Sequence, residues 1–205
     1  IVPDVDKQKL TVTVDVKGDA EGLSYNADAR ASDFSASAAS TGNQLVLDII
    51  DQKLWSPDSP FLYDLNVQIK KGDKVIDEVG SYFGMRKISL AKDDKGVMRI
   101  MLNNQFLFQY GPLDQGWWPD GLYTAPSDEA LKSDVILLKN IGMNMLRKHV
   151  KVEPARLYYW CDKLGILVWQ DMPSGDNTDL SKGRTPESAA QFEKEWASII
   201  RALYN

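Results

Sequence analysis

The chain has 205 residues, 43% of them hydrophobic and 26% charged, the makeup of a globular protein with room for one large domain or two small ones. Its formal net charge of -5, without a long run of one sign, excludes a basic nucleic-acid footprint, and no apolar stretch approaches the ~18 residues of a membrane span. Cys161 and His149 are the only residues of their types, which excludes an intrachain disulfide and a zinc site of the usual Cys/His kind.

The first 88 residues read as strands. Leu10, Val12, Val14 and Val16 alternate with polar residues at period 2. The stretch Ala27 to Thr41 is rich in small residues and reads as a strand pair with small side chains. Leu45, Val46, Leu47, Ile49 and Ile50 form another strand. Ser56-Pro57-Asp58-Ser59-Pro60 is a loop, because two prolines remove two ladder donors. Tyr63, Leu65, Val67 and Ile69 alternate again, and Lys71-Gly72-Asp73 turns the chain into Val75, Ile76 and Val79. Short strands separated by turn signals predict a β-sandwich.

The second half alternates strand with helix. Asn103-Asn104 reads as a hairpin turn between Arg99–Leu102 and Phe106–Tyr110. Ser127 caps a helix with Asp128 and Glu129 in its first turn; Leu131, Val135, Leu138 and Ile141 mark its inner stripe, and Gly142 stops it. Met143–Arg147 is a short buried strand. Pro154 opens a helix with Leu157, Cys161 and Leu164 inward, and Gly165 ends it. Ile166–Trp169 is a further strand. Thr185-Pro186 opens a third helix, with Phe192, Trp196, Ile199, Ile200 and Leu203 expected inward. This order predicts parallel strands with helical crossovers, as in a (β/α)₈ barrel or a doubly wound sheet. No G-x-G-x-x-G or P-loop glycine pattern supports the doubly wound form. The opening Ile1-Val2-Pro3 carries no Met and no signal pattern, and reads as an internal segment.

Function in barrels of this kind gathers at the carboxyl ends of the strands. Three clusters fall there. The first is Gly111 to Gly121, after a first strand ending at Tyr110; the second is Arg147-Lys148-His149; the third is Trp169-Gln170-Asp171-Met172-Pro173. Asp114 and Gln115, beside Trp118, can hydrogen-bond sugar hydroxyls while a ring stacks on the sugar; equally, Asp114 can cap a turn. Arg147 is placed to grip a carboxylate, Asp171 first of all, either as a structural pair or as part of a pocket floor. His149 can donate to a hydroxyl or be a satisfied loop histidine. Asp114 and Asp171 are two carboxylates, yet an arginine neighbour lowers a carboxyl pKa and suits neither a general acid nor a nucleophile. Trp160 reads as packing.

Four stretches together resemble glycoside hydrolase family 2, the family of β-galactosidases, β-mannosidases and β-glucuronidases. They are Leu54-Trp55-Ser56-Pro57-Asp58-Ser59-Pro60-Phe61-Leu62-Tyr63, then Tyr82-Phe83-Gly84-Met85-Arg86-Lys87-Ile88, then Leu102-Asn103-Asn104-Gln105-Phe106-Leu107, and Asn144-Met145-Leu146-Arg147-Lys148-His149 with Tyr159 to Pro173. The resemblance implies an immunoglobulin-like β-sandwich over residues 1–88 and about three βα units of a (β/α)₈ TIM barrel over residues 89–205. It implies a retaining, exo-acting β-glycosidase that hydrolyses terminal β-linked sugars with two glutamates, one on the fourth barrel strand and one on the seventh. Leu203-Tyr204-Asn205 resembles the approach to that fourth strand, so both glutamates are expected beyond Asn205 and the chain alone is expected to be inactive.

No catalytic residue is therefore assigned within the chain. Asp114, Gln115, Trp118, Arg147, His149 and Asp171 are the expected sugar-binding residues. Residues 114–118 depart from the β-galactosidase pattern, which has histidines there, and neither a metal nor a cofactor is expected. The expected partner is a carbohydrate substrate, with no nucleic acid and no membrane. An open parallel edge predicts homo-oligomers through it or marginal stability. Polysaccharide degradation suggests a periplasmic or secreted protein. The alternative is a non-catalytic β-sandwich module that binds glycan or protein.

Overall fold

The computed structural model describes residues 1–173, 183 and 185–204. The chain divides into two compact units, Ile1–Phe108 and Gln109–Tyr204.

The named strands of the first unit all pair antiparallel. One sheet has the order β1-β2-β5 (Val2–Asp4, Lys9–Thr13, Gln44–Asp48); the other has the order β4-β3-β6-β7, from β3 (Leu23–Ala31), β4 (Phe34–Ser40), β6 (Tyr63–Lys71) and β7 (Lys74–Phe83). The period-2 pattern sends Leu10, Val12, Leu45 and Leu47 of the first sheet and Tyr25, Ala27, Ala29 and Leu65 of the second into one shared core. Burying each of the larger aliphatic side chains is worth about 1.5–3 kcal/mol. The small-residue stretch is a strand pair: Ala27 lies opposite Ala38 on one side and Val67 on the other. Small side chains there leave room for an aromatic group. Tyr63 stacks on Phe83 at 5.0 Å and meets Phe34 and Phe61 edge-on at 5.4 and 5.0 Å. The Tyr63 hydroxyl accepts from the Lys53 amide at 2.7 Å, and burial pushes its pKa up.

A third sheet, β8 (Ile88–Lys92), β9 (Met98–Leu102) and β10 (Gln105–Phe106), belongs to this unit as well. Asn103 and Asn104 turn the β9–β10 hairpin with φ of 53° and 65°, the doubly left-handed backbone that asparagine tolerates. The turn also ties the hairpin to the sandwich. Asn103 accepts from the Lys87 amide at 2.9 Å and donates to the Trp55 carbonyl at 2.9 Å, while Asn104 donates to Asp6 at 2.9 Å. For this reason the compact unit extends to Phe108, past the change of period at residue 88.

The second unit is parallel. Its sheet has the order β11-β12-β13 (Leu113–Asp114, Met145–Lys148, Leu167–Gln170), with Leu113 opposite Arg147 and Arg147 opposite Trp169. The crossovers are α1 (Asp128–Asn140) and α2 (Ala155–Leu164). Ser127 accepts from the Ala130 amide and caps α1. Asp128 grips Arg156 of α2 with two bonds at 2.9 and 2.7 Å and takes Trp160 Nε1 at 3.0 Å, which holds its carboxyl down at about 2. Leu131 and Val135 of α1, Leu157 and Cys161 of α2, Leu146 of β12 and Ile166 form the core.

Two expectations need correction. The first parallel strand does not end at Tyr110. Residues 107–112 take no strand conformation of their own, and β11 is Leu113–Asp114, so Asp114 is a strand residue and not a loop residue. Pro112 supplies no amide to the ladder, but carbonyls there are used: Tyr110 O accepts from Met145 N, and Pro112 O from Arg147 N, while the Tyr110 amide donates to the Asn144 side chain. The helix α3 (Pro186–Leu203), capped by Thr185, buries none of its residues completely. Trp196 and Ile200 stay about half exposed, at 49% and 51%. Trp196, Ile199, Ile200 and Leu203 of its apolar face line a groove of about 210 Å³ together with Gln170, Asp171 and Met172 at the end of β13. The expectation attached to Asn205 lies outside the described residues.

Candidate functional site

Strand alternation sorts the second unit's charged residues onto two faces. Leu146 and Lys148 point to the side covered by α1 and α2; Met145 and Arg147 point to the other. Trp169 lies in register with Arg147, and Asp171 follows two residues later on the same face.

On the open face, Arg147 donates from Nε and Nη2 to the two carboxylate oxygens of Asp171, at 3.0 and 2.9 Å. This fork geometry holds Asp171 below its ordinary value of 3.8 and raises Arg147. Asp171 therefore stays ionised at neutral pH and has no proton to give a leaving group. Two of the guanidinium's five N–H donors are used here, and the Asp171 carboxylate, which the Val150 amide also supports, keeps part of its acceptor capacity. A neutralised pair with spare donors and acceptors is suited to hydroxyl groups. Beside it, Trp169 Nε1 donates to Gln109. Gln115 Nε2 lies 2.9 Å from His149 Nδ1. An amide nitrogen only donates, so this contact suits the tautomer in which Nδ1 accepts and Nε2 carries the hydrogen.

Beneath the strand ends, on the helix side, lies a buried charge cluster. Lys148 Nζ, wholly buried, donates to Asp114 Oδ2 and Glu153 Oε1, both at 2.6 Å. Lys151 Nζ lies 3.1 Å from Glu153 and donates to the carbonyls of Gly116 at 2.9 Å and Tyr123 at 2.8 Å. Asp134 is near enough that burial, and then the charge of Asp114, raise its pKa. Tyr158, pushed up to about 12 by burial, donates to Gln170 Oε1 at 2.5 Å and accepts from the Glu153 amide. Gln170 Nε2 then holds the carbonyls of Lys151 and Asp171 at 2.8 Å each. Through Gln170, the cluster is connected to the backbone that presents Asp171.

The structure thus separates the six expected residues. Arg147 and Asp171 come together, as do Gln115 and His149. Asp114 has both oxygens occupied, Oδ1 by the Gly116 amide at 2.7 Å and Oδ2 by Lys148, which is the turn-capping role. Trp118 packs against the α1–α2 core. It is its neighbour Trp117 that stands open, 62% exposed. Lys148, Lys151, Glu153, Tyr158 and Gln170 carry the site's framework; Lys148 and Gln170 stood in the sequence only as members of the strand-end clusters, and the other three were not singled out. The signal present there was Lys148 at the end of a buried strand, followed closely by Lys151 and Glu153. Among the described residues, no three His, Cys, Asp or Glu side chains are grouped to hold a metal ion. No helix among them is long and apolar enough to cross a membrane.

The fork makes a pH prediction. Because the folded Asp171 value lies below 3.8, the stabilisation it contributes is complete above about that pH and disappears only as pH falls through the lowered value. The Arg147 Nε–H resonance should hold its position from neutral pH to about pH 5 and move only in more acid solution. A midpoint at or above the ordinary carboxylate range would contradict the fork.

Comparison with known proteins adds the following. Residues 1–86 match the family described as Glycosyl hydrolases family 2. A protein of Formosa agariphila, named as a candidate β-glucuronidase, is 32% identical over 211 residues, covering 97% of this chain and 19% of its own length. A Bacteroides fragilis β-glucuronidase is 29% identical, covering 79% of this chain and 23% of the relative. In three dimensions, a β-glycosidase from Bacteroides vulgatus superposes with a TM-score of 0.68 at 23% identity, covering 94% of this chain and 25% of that one. The chain spans about a fifth of the curated relatives it matches.

Proposed function

We propose, from the premise that this chain belongs to glycosyl hydrolases family 2, that its second unit forms one wall of the sugar pocket of a retaining, exo-acting β-glycosidase. In this reading the parallel units are the opening of a (β/α)₈ barrel, residues 1–88 are an immunoglobulin-like sandwich, and the open face of β12 and β13 faces the barrel axis.

The observation that carries the proposal is the Arg147–Asp171 fork at the carboxyl ends of adjacent parallel strands. The fork's spare donors and acceptors bind hydroxyls of the terminal sugar. His149, held in one tautomer by Gln115, donates from Nε2 to another. Asp114 and Trp118 serve the wall by holding the loop and the helix core. Hydrolysis with retention needs one carboxylic acid that keeps its proton and one carboxylate about 5–5.5 Å away that attacks the anomeric carbon. Asp171 lacks the proton and Asp114 is bound to Lys148, so the catalytic pair comes from polypeptide other than these strands.

The test is a titration of the 205-residue chain with methyl β-glycosides of glucose, galactose, mannose and glucuronic acid, read by the Arg147 Nε–H resonance. A saturable shift for at least one sugar, absent in Asp171→Asn, is expected. The same chain should release no 4-nitrophenol from the matching aryl glycosides. No shift with any sugar would overturn the pocket-wall reading, and turnover above blank would overturn the assignment of the catalytic pair.

A further inference from the structure

The segment Gln115 to Thr124 leaves the carboxyl end of β11 and is built as a rigid arm. Lys151 Nζ, almost wholly buried, draws together the Gly116 and Tyr123 carbonyls. Gly116 sits over this ammonium with φ of 67°, and a Cβ there would lie 2.2 Å from Glu153 Oε1. Between the two anchors, Trp118 and Leu122 exchange a pair of backbone hydrogen bonds at 2.7 and 3.0 Å. The result is a closed turn with few soft torsions.

On this turn Trp117 and Tyr123 meet edge to face, ring centroids 4.5 Å apart at 66°. The Lys151 ammonium lies 4.5 Å from the Tyr123 ring. Tyr123 is thus held by its carbonyl and its ring, and it props Trp117, which is 62% exposed. A large ring presented on so fixed a turn offers a flat apolar face at a defined place. Two residues earlier in sequence, Gln115 contacts His149, which belongs to the pocket wall proposed above.

We infer that Trp117, propped by Tyr123, is a stacking platform for a second pyranose ring of a neutral β-linked oligosaccharide, one residue along from the ring held by Arg147 and Asp171. This rests on the pocket-wall reading. The C–H face of a β-linked pyranose is flat and apolar and matches an indole face. A neutral sugar is favoured because the cations beside the platform, Lys148 and Lys151, are buried and bound to carboxylates, so a charged sugar gains no ion pair from them. The platform therefore selects by chain length and ring face, and the Arg147–Asp171 fork by hydroxyl pattern.

The experiment compares binding of cellotetraose, mannotetraose and β-1,4-galactotetraose with binding of the corresponding methyl glycosides, for the wild-type chain, Trp117→Ala and Trp117→Phe. Trp117→Ala is expected to lower tetrasaccharide affinity about tenfold and leave methyl glycoside affinity unchanged, and Trp117→Phe to stay within about threefold of wild type. Melting temperature should fall in Trp117→Ala by no more than the loss of the Tyr123 contact accounts for, a few degrees. Equal tetrasaccharide affinity in wild type and Trp117→Ala overturns the platform, as does a fall in melting temperature above about 10 °C in Trp117→Ala, which would mean the ring is packed. If methyl glycosides move the Arg147 resonance but no tetrasaccharide gains affinity over them, the platform fails and the pocket wall stands. If nothing binds, both fail.

Discussion

Replacing Lys148 by methionine is expected to cost the second unit about 3–5 kcal/mol of stability. Lys148 is wholly buried and is the shared donor of Asp114 and Glu153, each 2.6 Å away. Methionine matches its length but leaves the Glu153 carboxylate, 3% exposed, with Lys151 as its one remaining cation at 3.1 Å. The loss comes from an uncompensated buried charge more than from the pair itself, which pays twice for desolvation. The double variant Lys148→Met/Glu153→Gln should therefore recover part of the loss. Denaturant unfolding read by tryptophan fluorescence follows this directly, since five of the six tryptophans lie beyond Phe108 and only Trp55 lies before it. A shift below about 1 kcal/mol would show the cluster to be solvated and the account of the strand ends wrong.

Gly111→Ala should be at least as damaging, for a steric reason. A Cβ at this position would lie 1.6 Å from the Met145 carbonyl oxygen and 2.4 Å from its carbon, both backbone atoms of β12. Met145 cannot withdraw, because its amide is bonded to Tyr110 O and the next turns of the ladder, Arg147 N to Pro112 O and His149 N to Asp114 O, follow at once. The ladder opens instead, at more than about 4 kcal/mol. Amide exchange at Arg147 and His149 should rise to that of unprotected backbone. Retained protection at both would refute the close approach.

Much of the fold was legible in the sequence because periodicity reports burial directly. Leu10–Val12 and Leu45–Leu47 alternate, and they are the inward positions of their strands. Ser127, Asp128 and Pro154 marked where helices begin because their chemistry satisfies or omits end donors. The Arg147–Asp171 contact was legible for a related reason: two strand ends one crossover apart in a parallel sheet are neighbours, and their charges are opposite. The rest was hidden by features that pattern does not encode. Trp117 and Trp118 are adjacent and identical in type, and only the turn geometry sends one into the core and the other out. Nothing local to Lys148 in the sequence says that Glu153 and Asp114 enclose it. Gly111-Pro112 disguised the first parallel strand, since one residue lacks a side chain and the other an amide. The stripe on α3 is real in sequence, yet the described residues offer that helix little to cover it.

Lys151 has a consequence for how such a protein diversifies. One ammonium grips the arm at Gly116 and again at Tyr123, and the strands below are held by separate contacts. The residues between those grips form a replaceable cassette. Its length and its aromatic content can change by insertion or substitution while the two carbonyls keep their places. A library varying only positions 117, 119 and 120 would then sample new ring and polar surfaces on an unaltered scaffold, with Trp118 in the core, Gly121 against the Thr124 carbonyl and the Arg147–Asp171 fork carried through every member.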